Sequence, residues 1–117
     1  MLVLSNSLGT DHTMWDPQLP AFAAHFRVLR YDTRGHGQSL VTEGPYSIEQ
    51  LGRDVLALLD ALKIERAHFC GLSMGGLIGQ WLAINAPDGE STATVVLLAK
   101  LLKCCDERVT DSQWIDF

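Results

Sequence analysis

The sequence predicts an α/β fold: a mostly parallel sheet with flanking helices. Three observations predict it. Short β-branched or aromatic runs alternate with longer amphipathic ones along the chain. Those longer runs are the right size for crossover helices, which implies right-handed βαβ connections. A serine between glycines, Gly71-Leu72-Ser73-Met74-Gly75, stands where one apolar strand gives way to a helix.

The elements follow in order. Residues 2–4 read as a short buried strand, ending in the polar loop Ser5-Asn6-Ser7-Leu8-Gly9-Thr10. Asp16-Pro17 reads as a helix start, with Asp at the N-cap and Pro at the first helical position. Leu19, Phe22, Ala23 and Phe26 follow at helical spacing, and residues 27–31 (RVLRY) read as a second strand. Ser47 and Gln50 fit a capping box. Ile48, Leu51, Val55, Leu58, Leu59 and Leu62 then mark one helix face. Residues 67–70 read as a third strand, and residues 77–86 as a buried helix ended by Pro87. Residues 94–99 read as a fourth strand. Trp15, Phe22, Phe26 and Trp81 are expected in the core, and His68 in the core or at its rim.

Composition bounds the function. A chain of 117 residues is about one domain. With 47% hydrophobic and 20% charged residues it matches a soluble globular protein, not a disordered tail or a disulfide-rich miniprotein. Its longest apolar runs are five residues, at 55–59 and 95–99, where a membrane helix needs about 20. The start MLVLSNS has no basic n-region and reads as no signal peptide. The net charge of −5 comes with acids split seven and seven about residue 61. No basic stripe exists, so neither nucleic acid nor membrane is an expected partner. Cys70, Cys104 and Cys105 form no C-x-x-C and read as reduced thiols of a cytoplasmic protein. The adjacent pair has no histidine nearby, so no metal site is expected.

The chemistry is carried by the G-x-S-x-G at 71–75. A chain this long shows that pattern by chance about 4% of the time, and the strand-turn-helix context sharpens it. This is the setting of a nucleophile elbow. Strand and helix nearly collide there, so Gly71 and Gly75 are expected to relieve the clash, and Ser73 to sit in strained backbone. In such elbows one oxyanion donor is the amide after the nucleophile, here Met74. The other comes from the loop after an earlier strand, where Leu8 N–H is the candidate. The turn Asp32-Thr33-Arg34-Gly35-His36-Gly37 reads as structural, with Asp32 and Arg34 pairing locally to hold it. His12 lies near the oxyanion loop.

The motifs SNSLGT, DTRGHGQS and GLSMGG, in this order, resemble the α/β-hydrolase superfamily. With MWDPQ and PYSIEQLGRDVLALLDAL added, the stretch over about residues 2–87 is similar to the 3-oxoadipate enol-lactonase family. The resemblance implies a partial α/β-hydrolase fold, truncated at both ends. It implies Ser73 as nucleophile, Met74 and Leu8 amides as oxyanion hole, and Asp32, Arg34, Gly35, His36 and Gly37 as a structural turn. It implies no metal or organic cofactor, and a small-molecule lactone or ester opened in aromatic catabolism. Ester hydrolases and cofactor-free haloperoxidases share the same motifs. The family's histidine follows the serine in sequence, whereas His12, His25, His36 and His68 all precede Ser73. None of them is the family's base, which implies impaired activity or a non-catalytic hydrolase fragment. Residues 1–87 read as the hydrolase core and 88–117 as an atypical tail. Exposed sheet edges imply self-association.

Overall fold

The computed structural model describes residues 1–85. Strands β1 (Leu2–Ser5), β2 (Val28–Arg30) and β3 (His68–Gly71) form one sheet in the order β2-β1-β3. Both pairings are parallel: Leu4 stands beside Arg30 and beside Cys70, and Ser5 beside Gly71. The loops leaving β1 and β3 therefore emerge side by side at one end of the sheet.

Alternation along the strands divides the core between the two faces. Val3 and Phe69 face a cluster with Leu51, Val55, Leu59, Ile78 and Leu82 of helices α2 (Ile48–Ala61) and α3 (Met74–Asn85). Leu2, Leu4 and Cys70 face the other way, against Trp15. A parallel sheet covered on both faces explains why β1 reads as an unbroken apolar run.

Helix α2 begins where the sequence predicts. Ser47 is the N-cap, its Oγ accepting from Gln50 N–H at 3.0 Å. The helix buries Leu51, Gly52, Val55 and Leu59. Leu62 lies past its end and is exposed, because the chain turns away from the sheet there.

Asp16-Pro17 does not start a helix. A 3₁₀ turn runs over His12–Trp15, N-capped by Asp11, whose carboxylate accepts from Thr13 N–H at 2.8 Å. Asp16 closes that turn and pairs with Arg30 instead. The helix α1 is short, Leu19–Ala23, and carries Pro at its start as Pro20. It buries no residue, so Phe22 only flanks the core and Phe26 is exposed. Trp15 is buried and Trp81 half-buried, as the core expectation has it. His68 is exposed at the rim, its ring edge-on to Phe26 at 5.5 Å.

Helix α3 covers the sheet on one side only. It buries Gly75, Gly76, Ile78, Gly79 and Leu82, but leaves Leu77 and Ile84 exposed. The fully buried helix expected there is thus one-sided within the described residues. The Pro87 stop, the strand at 94–99, the boundary after residue 87 and the Cys104-Cys105 pair lie outside the described residues.

Candidate active site

The turn from β3 into α3 is built by close approach. The β1–β3 ladder continues one step past the strands: Leu72 N–H donates to the Ser5 carbonyl at 3.1 Å. The chain then reverses at Ser73, whose φ is +53°. A residue with a Cβ pays about 1–2 kcal/mol to sit in that left-handed region. The surroundings hold it there. Gly75 N–H is shared between the Leu72 carbonyl (2.9 Å) and the Asn6 carbonyl (3.1 Å), and Leu77 N–H donates to the Ser73 carbonyl at 3.1 Å.

The flanking glycines are required by space. A Cβ on Gly71 would stand 2.2 Å from the Gly75 carbonyl oxygen, and one on Gly75 would stand 2.4 Å from the Ser5 carbonyl oxygen. Both obstacles are backbone, which cannot step aside. Ser73 itself is exposed, at the mouth of the turn and the start of α3. The helix dipole favours negative charge there.

Asn6 brings the two loops to one place. Its carbonyl takes Gly75 N–H, so the segment 6–8 lies against the start of α3. Leu8 and Met74 thus approach the same sheet end from adjacent strands. Among the described residues neither Leu8 N–H nor Met74 N–H has an acceptor. Both amides are thus open to a further acceptor.

Asn6 is also the residue that sequence reasoning misses. It is fully buried; its Oδ1 accepts from Trp15 Nε1 at 3.0 Å and its Nδ2 donates to the Tyr31 carbonyl at 2.9 Å. One side chain therefore fastens β1, the 3₁₀ turn and the end of β2. A polar residue directly after a buried strand is the available signal, but its partners lie too far along the chain to be named from it. Tyr31 itself is pushed up to about 12 by burial, against the Ser5 hydroxyl at 2.7 Å, so it stays neutral.

The bonds of the turn after β2 differ from the expected ones. Arg34 does not pair with Asp32. Its guanidinium forks onto Asp54 of α2, with Nε to Oδ2 at 2.7 Å and Nη2 to Oδ1 at 2.5 Å. A planar fork suits a carboxylate that offers both oxygens side by side, and Asp54 of α2 does so. Asp32 serves the other side. Its carboxylate accepts from His12 N–H at 2.7 Å, His12 Nδ1–H at 2.8 Å and Gln38 N–H at 2.9 Å. Burial alone would raise its pKa; the Gln38 and His12 donors outweigh that and hold it below the usual carboxylate value. Gly35 and Gly37 have φ of +77° and +51°. His36 Nδ1–H donates to the Arg34 carbonyl at 3.1 Å within the turn.

Asp32 follows β2 and Ser73 follows β3, the two outer strands of the described sheet. Among the described residues no hydrogen bond joins a histidine to Ser73. A cleft of about 500 Å³ opens between the Gly9, Asp11 and Met14 segment and His36, but Ser73 does not line it. Among the described residues no group of three His, Cys, Asp or Glu side chains could hold a metal. None of their helices is long and apolar enough to cross a membrane.

A family profile described as the alpha/beta hydrolase fold matches residues 1–114. The chain is 61% identical over 83 residues to 3-oxoadipate enol-lactonase 1 of Acinetobacter baylyi, covering 71% of this chain and 31% of that protein. It is 59% identical over 87 residues to enol-lactonase 2 of the same organism, covering 74% and 33%. The crystal structure of the enol-lactonase from Burkholderia xenovorans LB400 superposes with a TM-score of 0.71 at 68% identity, over 72% of this chain and 32% of that one. A hydrolase from Pseudomonas aeruginosa superposes with a TM-score of 0.76 at 61% identity, over 82% and 36%. The chain spans about a third of the length of the curated relatives it matches.

Proposed function

The chain belongs to the α/β-hydrolase fold family, and from that premise we propose that it serves a lactone or ester hydrolase of the 3-oxoadipate enol-lactonase kind, with Ser73 as nucleophile. One observation supports this above the others. Ser73 sits exposed at φ +53° between two glycines that no other residue could replace. The backbone contacts that hold the turn do not themselves require a hydroxyl at position 73, whereas a nucleophile presented clear of the sheet does.

In this reading Ser73 Oγ attacks the lactone carbonyl carbon as a base takes its proton. The carbonyl oxygen gathers negative charge and is held by Leu8 N–H and Met74 N–H. The ring C–O bond breaks, and the leaving enol oxygen takes the proton from the base. Water then attacks the acyl-enzyme, and the acid and Ser73 are released. The turn of Asp32, Arg34, Gly35, His36 and Gly37 keeps its structural part, anchoring the end of β2. The substrate in this reading is a small-molecule lactone or ester. The pathway of aromatic catabolism and a cytoplasmic setting belong to this proposal, as does a mechanism that asks nothing of a metal or organic cofactor.

A second reading is a non-catalytic hydrolase module. The observation favouring it is that no base contacts Ser73 among the described residues. Assaying the purified chain and its Ser73→Ala variant on an enol-lactone and on an aryl acetate separates the two. Turnover of the enol-lactone in preference to the aryl ester, abolished in Ser73→Ala, supports the first reading. Turnover equal in both proteins, or none in either, supports the second.

A further inference from the structure

Residues 7–10 close a turn on themselves. Thr10 N–H donates to the Ser7 carbonyl at 3.3 Å, and Gly9, in third place, has φ +74°. That is the conformation the third position of a type II turn demands. The Thr10 hydroxyl donates to the same Ser7 carbonyl at 2.8 Å. The Met14 sulfur also lies 3.1 Å from that hydroxyl. A hydroxyl has one proton, however, and the carbonyl is the nearer and stronger acceptor. The sulfur has its own donor in Ser7 N–H, at 3.3 Å.

Both backbone polar groups of Ser7 are thus occupied, and Leu8 N–H is left open. The Ser7 carbonyl and Leu8 N–H belong to one planar trans peptide, so they point in opposite directions. Whatever grips that carbonyl also aims that N–H. The Thr10 amide bond is long, so the grip rests mainly on the hydroxyl.

We propose that Thr10 is a positioning residue for the Leu8 oxyanion donor. Its hydroxyl fixes the Ser7–Leu8 peptide plane and turns Leu8 N–H out of the turn, toward the oxygen of a group bound at Ser73. Met14 pins the preceding amide and keeps the plane from rocking. This rests on the hydrolase reading of Ser73. A preorganised donor costs nothing to align when charge develops, and losing a whole donor typically costs about 10² to 10³ in rate. Loss of aim alone costs part of that.

The test compares the full chain with Thr10→Val, which keeps the shape and loses the hydroxyl, and Thr10→Ser, which restores it. The first readout is the rate of labelling by a fluorophosphonate, followed by intact mass. In that step Ser73 Oγ forms a bond to phosphorus, and fluoride leaves with the serine proton. The phosphoryl oxygen occupies the oxyanion position. The second readout is amide hydrogen exchange at positions 7 and 10, which needs no reactivity. Thr10→Val is expected to label at least about tenfold more slowly, and Thr10→Ser within about threefold of the parent. Exchange at both amides is expected to quicken in Thr10→Val and to recover in Thr10→Ser. Labelling of Thr10→Val at the parent rate overturns the proposal, and so does labelling of Thr10→Ser as slow as that of Thr10→Val. Should the parent chain not label at all, the hydrolase reading fails and exchange alone decides. Unchanged exchange in Thr10→Val then overturns the turn's dependence on Thr10, and quickened exchange rescued by serine upholds it.

Discussion

A Cβ placed on Gly75 would stand 2.4 Å from the carbonyl oxygen of Ser5. The two backbones touch where α3 begins and β1 ends, and Ser73 owes its position to that contact. Ser5 is itself fully buried between β2 and β3, so it has nowhere to move. Gly75→Ala is therefore expected to cost at least about 1–3 kcal/mol, the range for overpacking a rigid site. Gly9→Ala is the contrast, because a Cβ there meets nothing within 4 Å and only φ +74° opposes it. Its cost is expected near 1 kcal/mol. Urea denaturation of both variants checks the order.

Asn6→Ala removes one side chain and strands two partners. Trp15 Nε1 loses its acceptor in a buried site, and the Tyr31 carbonyl loses its donor in a half-buried one. Each buried orphan costs about 1–3 kcal/mol. The variant is expected to lose several kcal/mol on chemical denaturation, more than Gly9→Ala. Equal losses would show that Asn6 does not join the three elements.

The Asp32 carboxylate is expected to contribute to the acid limb of stability. Its pKa is lower in the folded chain than its unfolded value of 3.8. A depressed acid contributes stability above the unfolded value and loses it as pH falls through the folded one. The Tm of the parent is expected to fall more steeply between about pH 5 and pH 2 than that of Asp32→Asn. Parallel curves would mean that the Gln38 and His12 donors do not favour the charged form.

Burial pushes the Cys70 thiol up to about 11. The thiolate is the reactive form, so Cys70 is expected to resist iodoacetamide in the native chain at neutral pH. Denaturant is expected to expose it, and peptide mapping reads both states. Rapid native alkylation at Cys70 would contradict its place against Leu4 and Trp15.

How much of this was legible depended on range. The three strands and the start of α2 are written in local patterns, and each lies within a residue or two of its expected bounds. The elbow's glycines were legible because their requirement is local too: strand and helix converge within five residues, and only glycine fits at positions 71 and 75. Arg34 was not, because two acids compete for it. The near one in sequence, Asp32, is consumed by His12 and Gln38; the far one, Asp54, is delivered by the packing of α2. The Asp16-Pro17 signal failed similarly. It is a sound cap pattern, but Asp11 capped the earlier turn and Arg30 took Asp16. Leu77 and Ile84 looked buried because α3 is apolar on every side, and sequence alone does not say which sides find a neighbour.

If the elbow holds Ser73 as an activated nucleophile, a fluorophosphonate must find it, and intact-mass analysis with Ser73→Ala as control reads this. One adduct is expected on the parent chain, mapped to Ser73 and absent from the variant. An unlabelled parent under conditions that label an enol-lactonase relative, or an adduct that persists in Ser73→Ala, would contradict it.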